Sequence, residues 1–306
     1  MTVRGLLVVL VVLAMTPARA RAAACCVSAT AFGVGRLLAW EDFALGVQVG
    51  HTRVLGQYDA NRSLRLFQPG EFADGLTRVE PWAIVRLAER VQVQARVPVV
   101  VNDRAAGGLS QLASGLGDVG AAVRVEAISL GEYERLPSLG FTLGVLAPTG
   151  RRAEQAFLPL GAGVTGRGAW GASLALESEY TWLPWYVRLD AGVTVYAPFR
   201  RADTGASQWY GPIVQAALSS GRELVPDKLV LALSAQLEWE APLRLDGEVV
   251  GTSSALLPSL LASLSWRVHP HWTLVTSVAA SVWPGGLAQN RDARLGVLIG
   301  GRYGHF

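Results

Sequence analysis

Between Gly168 and Phe199 the chain alternates almost without a break. In the first half Trp170, Ala172, Leu174, Leu176, Ser178, Tyr180 and Trp182 fall on one side, and Gly171, Ser173, Ala175, Glu177, Glu179 and Thr181 on the other. After Leu183 and Pro184 the pattern restarts, with Trp185, Val187, Leu189, Ala191, Val193, Val195 and Ala197 opposite Tyr186, Arg188, Asp190, Gly192, Thr194 and Tyr196. A period of two is the signature of a strand, because successive side chains leave a pleated backbone on opposite faces. Each run is about twice as long as an ordinary globular strand. An apolar face of that length, ending in aromatic residues, suits lipid, and a charged opposite face suits water inside a closed wall. The pair is one hairpin of a transmembrane β-barrel.

The rest of the chain repeats the pattern. From Phe43 it divides into twelve alternating segments, joined by long connections at 59–75, 104–116, 148–167, 199–210, 241–254 and 283–292. Between these come short ones, at Glu89-Arg90, 130–136, Leu183-Pro184, 223–227 and His269-Pro270. An even strand count with long and short connections in turn matches external loops and periplasmic turns. A β-sandwich requires neither apolar faces this long nor this sorting of loops. The expected fold is all-β: a single antiparallel up-and-down transmembrane barrel of twelve strands over residues 43–306. Weak patterning around 59–75 and 211–222 leaves ten or fourteen strands open. Residues 25–42, containing Gly33, Gly35 and Trp40, form an N-terminal tail short enough to enter the lumen.

The N-terminus reads as a targeting segment. A positive start with Arg4, an apolar run from Gly5 to Met15 and a small-residue end make residues 1–24 a secretory signal peptide, cleaved after Ala20 or Ala24. The segment holds Arg4, Arg19 and Arg21 and no acid, so its removal takes the net charge from +3 to 0. The basic balance is therefore a product of targeting, and nucleic acid is not an expected partner. Hydrophobic residues make up 51% of the chain, yet nothing after the signal approaches the roughly 20 apolar residues of a membrane helix. Cys25 and Cys26, the only cysteines, stand beside the cleavage zone. They read as a lipid acceptor at Cys25, or as an adjacent pair in a tail that reaches an oxidising compartment. Ala22 argues against the first reading, because lipoprotein signals carry leucine there.

Three stretches look like a known family. They are Gly115-Leu-Gly-Asp-Val119, then Pro137-Ser-Leu-Gly140 with Ala147-Pro-Thr-Gly150, and the glycines Gly161 and Gly163 ahead of Trp170. Together they resemble the outer-membrane β-barrel family linked by name to the meta-pathway of phenol degradation. The resemblance covers about the middle third of the chain. It implies a Gram-negative outer-membrane barrel of the kind described as transporting hydrophobic or aromatic compounds, and it carries no catalytic residues. The chain also ends on Phe306, an aromatic terminus of the kind that barrel-assembly machinery reads, although Gly304 stands where the usual preceding aromatic lies.

The inward faces carry the candidate chemistry. Arg96, Arg124, Glu126, Glu177, Glu179, Arg188, Asp190, Gln236, Glu238 and Arg267 are the candidate lumen-lining residues, with Arg86, Glu240 and Arg302 on the same faces. The acids Glu177 and Glu179 are two residues apart and suit acid and base work only if burial splits their pKa values. Pairing with Arg188 on the next strand is the simpler reading. Such a mixed set makes either a pore lining of little net selectivity or a salt-bridged plug, since a barrel of this size is narrow. His269 and His271 flank Pro270, but two ligands are too few for a metal site. His51 is the only mid-strand histidine and has no serine close by, so lipase-like acyl transfer lacks its nucleophile. No phosphate loop occurs, and Gly161, Gly163 and Gly166 lie in a loop without βαβ context, so no cofactor is expected. The leading function is a narrow channel passing small molecules across outer-membrane lipid. The second is a sealed structural or binding barrel acting through loops 59–75, 148–167 and 241–254, and the third a membrane-embedded hydrolase.

Overall fold

A computed structural model describes residues 35–68, 70–133, 135–156, 158–251, 253–281 and 287–306. The signal peptide, both cysteines and tail residues 25–34 lie outside the described residues. Twelve antiparallel strands form the wall. They are β1 (Phe43–Tyr58), β2 (Phe72–Ala88), β3 (Val91–Arg96 continued as Val99–Ala106) and β4 (Leu109–Leu116 continued as Val119–Ile128). Then come β5 (Ser138–Ala147), β6 (Gly171–Trp182), β7 (Trp185–Tyr196), β8 (Ile213–Val225), β9 (Leu229–Glu240), β10 (Ala255–His269), β11 (Trp272–Ala280) and β12 (Asp292–His305). Each strand pairs with its neighbours in sequence, and β1 closes on β12 from Phe43 opposite His305 to Gln57 opposite Asp292. Closure leaves no free edge around the belt, which is what a sheet needs where no water can satisfy its backbone.

The alternation read from the sequence is the alternation of the wall. Leu143, Leu233 and Ile299 point outward and are 61–63% exposed, while their chain neighbours turn inward. Trp266 and Trp272 stand outward near the short turns, and Trp170 and Trp239 near the long loops. The result is an apolar band edged by aromatic rings at both ends, the outer surface of a barrel in lipid. Among the described residues no helix is long and apolar enough to cross a membrane.

One connection differs from the expectation. Residues 104–116 do not form a loop: β3 runs on to Ala106 and β4 starts at Leu109. Gly107 and Gly108 join them with φ of 56° and 82°. Two successive positive φ values suit the tight hairpin turn whose twist matches its strands, and glycine reaches them at no steric cost. This hairpin carries Asn102, Arg104, Ser110, Gln111 and Ser114, so neither face shows the apolar period that marks the strands lower down. Beyond the long-loop end, short strands at Phe199–Arg200, Ser207–Trp209, Arg244–Leu245 and Glu248–Val249 pair into a small separate sheet.

The outer band makes a direct prediction. Leu143→Arg, at mid-height on the lipid face, should destabilise the barrel by ~2–4 kcal/mol, with less cost for the same change near either rim. Denaturant unfolding of the protein in lipid vesicles measures it, and an unchanged midpoint would show that this face does not meet lipid.

Candidate functional site

Near the short-turn end the interior is filled by charge. Two-residue turns fix the register of β6 on β7, so Glu179 lies opposite Arg188 and Glu177 opposite Asp190. Arg188 is only 1% exposed. Its Nη2 lies 2.8 Å from Asp190 Oδ1 and 3.2 Å from Glu177 Oε2, and its Nη1 lies 4.0 Å from Glu179 Oε2. From β4, the Nε of Arg124 donates to Glu177 Oε2 at 3.1 Å, and its Nη1 pairs with Glu126. Thr142 Oγ1 donates to Glu177 Oε1 at 3.2 Å. Six of the ten sequence candidates therefore meet in one network: Arg124, Glu126, Glu177, Glu179, Arg188 and Asp190. Charges this deeply buried persist only when paired and hydrogen-bonded.

The segment just before β1 completes the network. Arg36 is buried and donates from Nη2 to Glu179 Oε1 at 3.1 Å, and the Leu37 amide donates to Gln92 Oε1 at 3.0 Å. Glu41 pairs with Arg302 of β12, and the Glu41 carbonyl accepts from Arg86 Nε at 2.9 Å. Leu37 packs with Ala44, Trp82 and Ile84. Among the described residues, the tail and the strands it meets bring together Arg36, Arg86, Arg124, Arg188 and Arg302 with Glu41, Glu126, Glu177, Glu179 and Asp190. Arg86 is held by backbone carbonyls, while the other four arginines pair with carboxylates. Arg36 and Glu41 had no sequence signal, because the tail that bears them has no period.

The other four candidates lie elsewhere. Arg96 is half-buried against Gly120, and Gln236 is a half-buried inward residue of β9. The Arg267 guanidinium stands 5.9 Å from the Trp40 ring centroid. Glu238 belongs to a second charged layer at the long-loop end, where it accepts from Gln215 Nε2 at 2.7 Å and from Arg291 Nη2 at 2.9 Å. Arg291 also bonds Glu240, which pairs with Arg167 Nη1 at 2.7 Å. The Arg167 guanidinium sits 4.9 Å from both the Tyr196 and Tyr210 ring centroids. Burial disfavours charge on Arg167, yet its hydrogen bond and pairing with Glu240 keep its pKa above the ordinary arginine value. Burial, which also disfavours a charged phenolate, pushes the Tyr210 phenol up. Arg152 lies 4.0 Å over the Phe199 ring, and Phe199 stands 5.5 Å from Tyr210, so the mouth combines rings with guanidinium groups.

The loop that brings Arg167 inward is anchored by the glycine-rich stretches noted in the sequence. Between Leu116 and Val119 the inward set of β4 changes from odd to even positions, which frees Asp118 to turn toward the loop. Its carboxylate accepts from the amides of Gly150 (3.0 Å), Arg167 (2.8 Å) and Gly168 (3.2 Å). Thr149 Oγ1 donates to the Gly117 carbonyl at 2.6 Å and accepts from the Val119 amide at 2.9 Å. A Cβ on Gly150 would lie 2.7 Å from Gly166 Cα, and one on Gly166 would lie 2.7 Å from Asp118 Oδ2, so neither place accepts a side chain. Farther along, Asn102 Nδ2 donates to the carbonyls of Ala162 and Val164, and Arg104 Nη1 to those of Leu160 and Gly161. The 148–170 segment is thereby fastened along the inner face of the β3–β4 hairpin.

The histidines have local roles. His51 Nδ1 lies 2.9 Å from Thr77 Oγ1 on the outer face. His271 stacks on the Phe306 ring at 4.4 Å, and its Nδ1 lies 2.9 Å from the Gly304 carbonyl. Among the described residues no group of three or more His, Cys, Asp or Glu is placed to hold a metal ion.

The Arg188 network is the part most sensitive to substitution. Arg188→Met leaves Glu177, Glu179 and Asp190 facing one another and should cost ~3–5 kcal/mol, the scale for breaking a buried ion pair on one side. Adding Asp190→Leu should recover part of that loss, since the two sites share partners. Equilibrium unfolding of the single and double variants, followed by tryptophan fluorescence, measures both; simple additivity would mean that the two side chains act independently.

No family model matches the sequence, and no curated protein does. Among solved structures, the barrel is similar to an outer membrane channel from Pseudomonas putida, with 14% identity, 88% of this chain and 97% of that chain covered, and a TM-score of 0.71. The β domain of the Bordetella autotransporter BrkA shows 15% identity, 85% and 99% coverage and a TM-score of 0.48. The monoaromatic hydrocarbon channel CymD shows 11% identity, 87% and 89% coverage and a TM-score of 0.44. At such identities the likeness is one of fold: a single-chain, membrane-spanning β-barrel.

Proposed function

We propose that this protein is an outer-membrane channel for small molecules, with its short turns toward the periplasm and its long loops outside. The observation that carries the reading is the composition of the lower layer. Its ion pairs are completed by a segment outside the wall, residues 35–42, through Arg36 and Glu41, and the Leu37 amide bonds Gln92 beside them. Moving that segment withdraws Arg36, Leu37 and Glu41 from the lumen while every strand, and the wall-borne pairs of Arg188 and Arg124, keep their partners. The candidate lumen residues are then the walls of a passage that is closed in this conformation. The sequence resemblance adds hydrophobic or aromatic compounds as a solute class, and the rings of Tyr196, Phe199 and Tyr210 give them a place to stack at the mouth. On this reading Phe306 is the terminal aromatic presented to the assembly machinery, and the chain performs no covalent chemistry.

One observation favours a sealed barrel acting through its loops: Arg188, Asp190 and Glu179 are 1–3% exposed, so the closed layer leaves water little room. Planar-bilayer recording separates the two readings. The wild-type protein should show discrete current steps, and Arg36→Ala, which releases Glu179 from the tail, should open more often. Silence from both proteins, with folding shown by an electrophoretic shift on heating, would establish the sealed barrel.

A further inference from the structure

The interior is not charged all the way round. At the height of the Arg188 network, the wall from β8 to β11 turns Ser219, Ser234, Ser263, Ser265 and Ser277 inward. The register sets them side by side: Ser219 lies opposite Arg188 on one flank and Ser234 on the other, and Ser263 lies opposite Ser277. Ser219 Oγ donates to Ser234 Oγ at 2.9 Å. Ser265 and Ser277 differ: they are 7% and 2% exposed, and the hydroxyl of each has no hydrogen-bond partner among the described residues. A buried hydroxyl left unpaired is costly, and two in adjacent strands mark a place where something else supplies the partners. Hydrogen bonds of the 35–42 segment reach Gln92, Glu179, Arg86, Arg302 and His305, which belong to other parts of the wall.

Resting on the channel reading, we infer that solute moves along this serine arc, and that the solutes are small uncharged molecules bearing hydrogen-bonding groups. A hydroxyl is neutral and can both donate and accept, so it replaces the water that such a molecule sheds on entering a narrow lumen. It cannot compensate a desolvated ion, which needs an opposite charge beside it. At this height Arg36, Arg124, Arg188 and Arg302 are each paired with a carboxylate, and the serine arc beside them carries no charge to offer an ion. The ion-paired arc is the rigid side of the passage and the serine arc the side that reads the solute.

Proteoliposome uptake of xylitol, gluconate and choline tests this, with the wild type and with Arg36→Ala. Xylitol should enter roughly tenfold faster than either ion, the discrimination expected of a serine arc that offers hydrogen bonds and no charge of its own. Replacing Ser265 and Ser277 together by alanine keeps the space and removes two hydrogen bonds; it should slow xylitol roughly fivefold and leave the slow ion uptake as it was. The leucine pair at the same positions should block xylitol. Ions entering as fast as xylitol, or an alanine pair that takes up xylitol at the wild-type rate, would overturn the serine path while leaving a channel in place. Entry of none of the three, from both proteins and with folding shown by electrophoresis, would remove the channel reading and this one with it.

Discussion

Everything in this molecule depends on backbone hydrogen bonding in a medium that offers none. In lipid, each amide and carbonyl of the wall must find its partner within the protein. A strand solves this only if the sheet closes, and pairing β1 with β12 closes it. Closure then dictates the rest. Side chains have two places to go, lipid or lumen, and the period of two assigns them alternately along every strand. An apolar outside and a polar inside are two consequences of one backbone constraint.

The polar inside raises its own problem. A twelve-stranded wall encloses a narrow space, and charges crowded there lose much of their water. The chain meets this by pairing them across strands: Arg188 and Arg124 each touch Glu177, and Arg36 is supplied from outside the wall to reach Glu179. Coulombic gain in such a site repays desolvation only if geometry and hydrogen bonding are good. Thr142 and Gln92 contribute to that by bonding members of the network. Pairing within the layer is thus a condition of its stability.

The glycine-rich stretches serve a different end. Asp118 leaves the alternating pattern where β4 shifts phase, and its carboxylate gathers the amides of Gly150, Arg167 and Gly168. The glycines are there because backbone and carboxylate approach too closely for any side chain. That junction holds the 148–170 segment inward and places Arg167 between two tyrosines and against Glu240. A motif with no chemistry of its own therefore positions a charged side chain across the mouth.

The sequence by itself determined the alternating strands, the face their residues take and the pairing of Arg188 with Glu177 and Glu179. All three follow from local rules: a period of two, and a two-residue turn that leaves one register between β6 and β7. It also marked the glycine stretches without disclosing their purpose. It missed the upper β3–β4 hairpin, because with polar residues on both faces there is no hydropathy period to read. Only the tertiary structure decided that Arg36 meets Glu179, 143 positions away, that Arg167 meets Glu240, and that serines face ion pairs across the lumen. Those contacts depend on how far the closed sheet curves and how its strands stagger, a property of all twelve strands together that no short stretch of sequence encodes.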